Sequence, residues 1–503
     1  MKTLNLNKQN IDKIKYYLLI LFIIIQPILD IHYLYTEKVV NIIGFSPSTI
    51  IRIAIVFILF LLTIVTLKDK KTWILVIIYS LLVLIYSIFH IIHTKEFNTL
   101  VPNSLGYSIK GEIFYIIRML IPFIIIISTV KTSISKKDYQ NAIKIILVSI
   151  SLTIVLSNIF KVSLESYGKG IIKENIFGWF NGAYDMYSYS DLASRGFFNS
   201  ANQISALLIL LLPLMLIIYT YSPNISNLLI ICLTIISMIM LGTKVALYGA
   251  IIDIVVYILA LLFIRITKQT KMFSMKILLN IIVSTLIIGC LYNVSPSKNR
   301  PSLQQNYGNK EENIDIDVLK EYQKNNDKER MIEFIKNNYS EAKIKDEFIL
   351  NCYPYQYDPD FWVGIFDMNL VDRRDWRLLE LKMHQRVMDI NNNSKDKWLG
   401  IGFTRSEHLF TLERDFVAQY YSMGIIGVIL LLGPYIIITI ACIIKILLDF
   451  KKKFNLENSI TCFSVVFILT SSISSGNVMD CLTITIILGF IIGNLINEIW
   501  VIK

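Results

Sequence analysis

The sequence is short of charge. Asp, Glu, Lys and Arg make up 17% of its 503 residues, against roughly 25% in a soluble globular chain. So few charges cannot solvate the surface of a chain that is 54% hydrophobic, and the excess apolar residues come in long blocks. The chain therefore reads as an integral membrane protein. Cysteine is also scarce. Six are present, none in a C-x-x-C spacing. Cys232, Cys290, Cys442, Cys462 and Cys481 lie in or beside apolar runs, and Cys352 stands alone in polar sequence. That pattern excludes a disulfide framework and a cysteine zinc site. The opening "MKTLNLNKQNIDKIKYYLLILFIIIQPILDIHYLY" lacks a small-residue cleavage site. It reads as an uncleaved first span rather than a signal peptide.

What the chain does have is apolar blocks of spanning length, about 20 residues each. They fall near 16–35, 47–67, 72–93, 110–130, 140–160, 202–221, 225–242, 245–265, 276–294, 416–447, 458–474 and 478–500. The expected fold is an all-α polytopic membrane protein of about twelve transmembrane helices. Residues 1–294 carry nine spans, 295–415 form one large loop domain, and 416–503 carry the last three. The tenth block is long and should bend at Gly433-Pro434, since proline breaks the helix ladder.

The net charge of +11 would raise nucleic acid as a partner in a soluble protein. Here the basic residues gather in short joints, "LKDKK", "KTSISKK", "RITKQTKMFSMK" and "DFKKKF". These alternate with joints at 36–46 and 94–109 that are poorer in Lys and Arg. The positive-inside rule then puts both termini in the cytoplasm. It also puts 161–201 and 295–415 on the outer face. Within the second of these, "DWRLLELKMHQRVMDI" spaces Trp376, Leu379, Met383, Val387 and Ile390 by three and four. That marks an amphipathic helix, expected to pack on the bundle of spans.

"DLASRGFFNSANQISALLILLLP" therefore opens on the outer side, with Arg195 just ahead of the sixth span. Lys244 in "LGTKVALYG" lies at the same level, and Arg373, Arg374, Arg377 and Arg405 share that side. Cations on the side that should be poor in them point to an anionic ligand. A guanidinium meets phosphate oxygens with two parallel donors. The amides of Asn199, Asn202 and Gln203, near a helix N-terminus, add donors. The plainer reading is a helix cap with lipid-headgroup contacts. Arg118, inside the span "GEIFYIIRMLIPF", is a functional candidate because ionisable groups are costly there. It could equally be a structural partner of Glu112 or Asp30. Asp30 and Arg52 read as a structural pair, and Asp253, His90 and His93 take no assignment.

Three segments together resemble the O-antigen ligase and O-antigen polymerase superfamily. "RGFFNSANQISALLILLLP" resembles that family's arginine–glycine–asparagine mouth, and "LGTKVALYG" its following small-residue joint. "KWLGIGF", with "TLERDFVAQYYSMGIIG", resembles its terminal Gly-x-Gly and Gly-x-x-Gly motif, preceded by the arginine-led helix "DRRDWRLLELKMHQRVMDI". The likeness covers about 110–435. It departs in one place. Ligases carry a histidine ahead of the Gly-x-x-Gly, and the matching position falls near Glu413 and Asp415. His408 lies several residues too early. This tilts the reading toward a polymerase-type member.

The resemblance implies transfer of a glycan from a polyprenyl diphosphate carrier to an acceptor sugar, on the outer face of a bacterial cytoplasmic membrane. Arg195, Lys244, Arg118, Arg373, Arg374, Asn199 and Asn202 would bind the diphosphate. Glu413 or Asp415 would accept the acceptor's proton, with His408 the weaker candidate. The physics agrees. Negative charge grows on the leaving diphosphate, and preorganised cations there stabilise the transition state by a few kcal/mol. No DxD pair or histidine cluster marks the outer face, so no metal, cofactor or nucleotide sugar is expected. The partners expected are the lipid-linked donor, a glycan acceptor, the bilayer and other polysaccharide-assembly proteins. The bland role for Glu413 and Asp415 is helix capping. A glycan flippase or other transporter is the alternative class, but such proteins usually show repeat symmetry, and the sequence has no repeated halves. A non-catalytic scaffold would leave the outer cations unexplained.

Overall fold

The computed structural model describes residues 8–36, 38, 46–268, 274–299, 314–410 and 412–500. The inner joint at 269–273 and the polar stretch 300–313 lie outside the described residues. Among the described residues regular structure is helical, apart from three isolated bridges. The longer helices are α1 (Lys8–Ile24), α2 (Pro47–Thr66), α3 (Lys70–Lys95), α4 (Ile109–Thr132), α5 (Lys136–Ile159), α6 (Ala201–Tyr221), α7 (Ile225–Met240), α8 (Lys244–Lys268) and α9 (Met275–Tyr292). There follow α10 (Ile316–Lys324), α11 (Lys328–Asn338), α12 (Pro359–Phe366), α13 (Trp376–Asn391) and the short α14 (Phe403–His408). The chain ends with α15 (Asp415–Leu431), α16 (Gly433–Leu448), α17 (Leu456–Ser474) and α18 (Leu482–Trp500).

Among the described residues, ten helical segments are long and apolar enough to cross a membrane. The count of twelve is not reached by this measure. The expected first and seventh spans are α1 and α7, of 17 and 16 residues. The block at 416–447 is two helices, and its break falls at Leu432, one residue before the expected Gly433-Pro434.

The chain divides into two compact units. The first holds residues 1–70, 120–303 and 435–503. Its central helix is α6, on which α5, α7, α8, α17 and α18 pack. The reason is compositional. "ALLILLLPLMLIIY" is apolar on every side, and such a helix has no face for water; 89% of its apolar window is buried, against 22% for α2 and 17% for α9. α18 meets the second half of α4 through small residues: a Cβ on Gly489 or Gly493 would crowd the Pro122 or Ile126 carbonyl. Close backbone approach of this kind suits helices that associate without a hydrophobic driving force. Arg52 is fully buried, yet each arm of its guanidinium has an acceptor: Gln26 Oε1 at 2.9 Å, Tyr35 Oη at 2.8 Å and Thr483 Oγ1 at 2.6 Å. Asp30 joins this group through the Tyr35 hydroxyl, 3.5 Å from its Oδ1, not by a direct ion pair.

The second unit holds residues 71–119 and 304–434. Its core gathers Phe348, Trp362, Phe366, Leu379, Met383 and Val387. The stripe expected to pack on the spans thus forms the loop's own interior, with Ile390 half-buried and Trp376 largely exposed. Large apolar residues from α11, α12 and the 344–355 turn give α13 something nearer to cover. Arg386 of α13 clamps the buried Asp358 at 2.7 and 3.0 Å, and Asp358 also accepts from the Tyr353 hydroxyl at 2.7 Å. A buried charge is tolerated when paired and hydrogen-bonded in this way.

Candidate functional site

The mouth of α6 lies in the first unit. Arg195 is held there from both sides of the chain. Its own N–H donates to the Leu164 carbonyl at 3.0 Å, and Leu164 N–H donates to the Gly196 carbonyl at 2.8 Å. Ser194 N–H donates to the Met240 carbonyl at 2.8 Å, and Asn158 Nδ2 donates to Ser194 Oγ at 3.0 Å. Gly196 has φ +65 and Gly242 has φ +65, a region that favours glycine. A Cβ on Gly242 would overlap Ala193. The "ASRGF" turn and the "LGTK" joint therefore meet.

The Arg195 side chain is 9% exposed. Nη2 donates to the Gly168 carbonyl at 3.3 Å, and Nε has no acceptor. Burial pushes the guanidinium below its usual value, with the nearby Glu165 opposing. Among the described residues no carboxylate forms an ion pair with it. Lys244, the first residue of α8, is exposed. Asn199 Oδ1 accepts from His32 Nδ1 at 3.4 Å, and Asn202 is half-buried in the first turn of α6. The N-cap, Ser200, makes no side-chain capping bond.

The second unit explains the glycine motifs. Gly400 (φ +80) and Gly424 (φ +68) lie where two backbones cross. A Cβ on Gly400 would overlap the Ser422 carbonyl, and one on Gly424 would overlap the Trp398 carbonyl. Gly424 kinks α15. Three carbonyls at the kink accept from elsewhere: Tyr421 from Ile401 N–H at 2.8 Å, Ser422 from Gly402 N–H at 3.0 Å, and Met423 from the Tyr86 hydroxyl at 2.6 Å. The chain then enters α14, whose first donors point at a buried carboxylate. Glu112 accepts from Phe403 N–H at 2.8 Å, Thr404 N–H at 2.7 Å and Thr404 Oγ1 at 2.7 Å, with His90 Nε2 at 3.1 Å. An acid at a helix N-terminus is favoured by the orphan amides and the dipole. Arg118 lies about a turn and a half along α4 from Glu112. Its guanidinium stands 5.3 Å from the Tyr115 ring centre and 5.7 Å from that of Phe403.

The loop arginines divide. Arg405 is fully buried and donates to the carbonyls of Ser104, Thr94 and Ile401, so it anchors α14 rather than facing outward. Arg377 grips Glu413 Oε2 with Nε at 3.0 Å and Nη2 at 2.7 Å. Arg373 is buried and Arg374 exposed. Asp415 is buried at the start of α15, and His408 is exposed at the end of α14. Beside the Glu413 pair lies a carboxyl the sequence reading passed over. Glu380 of α13 is 1% exposed, with Oε2 unpartnered. Burial, then the Glu413 charge, pushes it up to about 8. One turn on, His384 Nδ1 donates to the Glu380 carbonyl at 2.7 Å, so its Nε2 accepts from Ser406 at 2.8 Å. Burial takes His384 down to about 4. Among the described residues no cluster of His, Cys, Asp and Glu fit for a metal ion is present.

No curated protein matches the chain. Its span-length helices make it a multi-pass membrane protein, and residues 12–501, nearly the whole chain, match the model of one family. The protein belongs to the O-antigen ligase like membrane proteins.

Proposed function

We propose that the protein joins glycan units carried on a polyprenyl diphosphate, at the outer face of a bacterial cytoplasmic membrane, as a polymerase-type member of its family. The observation that carries this reading is Arg195: buried, clamped by backbone on both flanks, and with a donor unmatched. An under-partnered guanidinium suits a phosphate oxygen. In the reaction the bond from the donor's anomeric carbon to the diphosphate oxygen breaks. The acceptor hydroxyl oxygen bonds to that carbon, and its proton passes to a general base. Arg195 and Lys244 stabilise the charge that grows on the departing diphosphate.

Arg195→Ala should abolish polymer while the protein stays inserted and abundant. Arg195→Lys should recover only part of the activity, because an ammonium lacks the planar fork. Polymer length on gels, beside a membrane immunoblot, reads both. Full-length polymer from Arg195→Ala would reduce the motif to a scaffold for the α6 mouth.

A further inference from the structure

One side chain of the second unit has an unmatched polar atom where no charge accounts for it. Gln419, on the first turns of α15, is 3% exposed. The Tyr115 hydroxyl donates to its Oε1 at 2.7 Å, and Nε2 has no acceptor. Turning the amide over would not help. Nε2 could then donate to Tyr115, and Oε1 would be left alone. In either orientation one group of a buried amide waits for a partner, and such groups are normally satisfied. The surroundings are fixed. The Tyr115 ring stacks on Phe403, centroids 3.7 Å apart and planes within 8°, and Arg118 lies over both rings.

We propose that the Gln419 amide binds a hydroxyl of the acceptor sugar, with Tyr115 setting its orientation. A hydroxyl both donates and accepts, so it satisfies the amide in either orientation, which a phosphate oxygen does not. The proposal rests on the reading of the protein as a glycan transferase and adds the residue that selects the acceptor.

The test uses the full chain in nanodiscs with methyl glucoside, galactoside, mannoside, rhamnoside and N-acetylglucosaminide as probes, followed by saturation-transfer NMR. Wild type should bind at least one. Gln419→Met, which keeps length and removes the amide, should weaken that glycoside about tenfold, the equivalent of one lost hydrogen bond. Tyr115→Phe should weaken it less. A Tyr115→Phe, Gln419→Met double variant removes both polar partners and should melt no lower than wild type, because no buried group is left unpaired. A much lower melting point would make the pair a structural bolt and sink the proposal. So would wild type binding none of the probes, or unchanged affinity in Gln419→Met. Farnesyl diphosphate binding that weakens in Gln419→Met would also overturn it, in favour of a phosphate ligand. If these variants behave as wild type while Arg195→Ala loses polymer, only the acceptor assignment falls. If Arg195→Ala keeps polymer, the glycan-transfer reading falls with it.

Discussion

At the scale of single residues, two carboxylates compete for the role of base. Glu413 is gripped by Arg377, and Asp415 is buried at the head of α15. Glu413→Gln or Asp415→Asn should lower turnover by about two to four orders of magnitude, the range for a positioned base, with donor binding kept. His408→Ala should be milder. Polymer length alongside binding of a lipid-linked donor separates these; loss in His408→Ala alone would move the base to the histidine. Glu380 has a measurable consequence of its own. Its carboxyl titrates at about 8 in the folded chain against 4.5 ordinarily. The folded state keeps a proton that the unfolded state has released, so stability falls on its account as pH rises between those values. His384 works in the opposite sense: at about 4 against 6.5, it removes stability as pH falls through that window. The two effects oppose each other from 4.5 to 6.5, and above 6.5 only the Glu380 loss remains. The wild-type melting temperature should therefore drop between pH 6.5 and 8, and Glu380→Gln should flatten that drop. An equal drop in the variant would place the titrating group elsewhere.

At the scale of elements, the glycine crossing is the feature a single methyl tests best. Gly424→Ala places a Cβ against the Trp398 carbonyl at a φ of +68. The backbone conformation alone costs about 1–3 kcal/mol in a non-glycine residue, and the overlap adds to it. The variant should be poorly expressed or melt well below wild type, whereas Gly433→Ala, whose Cβ would meet its neighbours only at ordinary van der Waals distance, should be close to neutral. Equal melting points would remove the crossing as a structural requirement. These glycines were legible as a motif, because only close backbone approach demands them at fixed spacing. The Arg195 mouth was legible for a similar reason, since a cation stood where the charge pattern said none should. Tyr115 and Gln419 were not. They lie 304 residues apart, and neither looks unusual in an apolar helix. Glu380 was hidden by its own helix: on an amphipathic pattern a glutamate reads as solvated, and only the packed loop shows it buried. The destination of the α13 stripe was misjudged because periodicity reports an apolar face, not what covers it.

At the scale of the whole molecule, the outer placement of 295–415 underlies the proposed function. Cys352 is a poor reporter of it, being buried and pushed up to about 12 by burial and by Glu347 and Glu380. A cysteine-free chain with Lys336→Cys, exposed on α11, should label with an impermeant maleimide in spheroplasts, and Lys137→Cys should not. The reverse pattern would invert the topology. The uneven burial of the spans carries one more consequence. α6 meets mostly protein along its 21 residues, whereas α2 and α9 leave most of their apolar windows uncovered. Bilayer thickness is felt by the helices that touch acyl chains, which tilt or distort to match it. In thinner or thicker membranes α2 and α9 should reorient first, leaving α6 and the Arg195 turn above it unstrained. Activity should then vary little across phosphatidylcholines of different chain length.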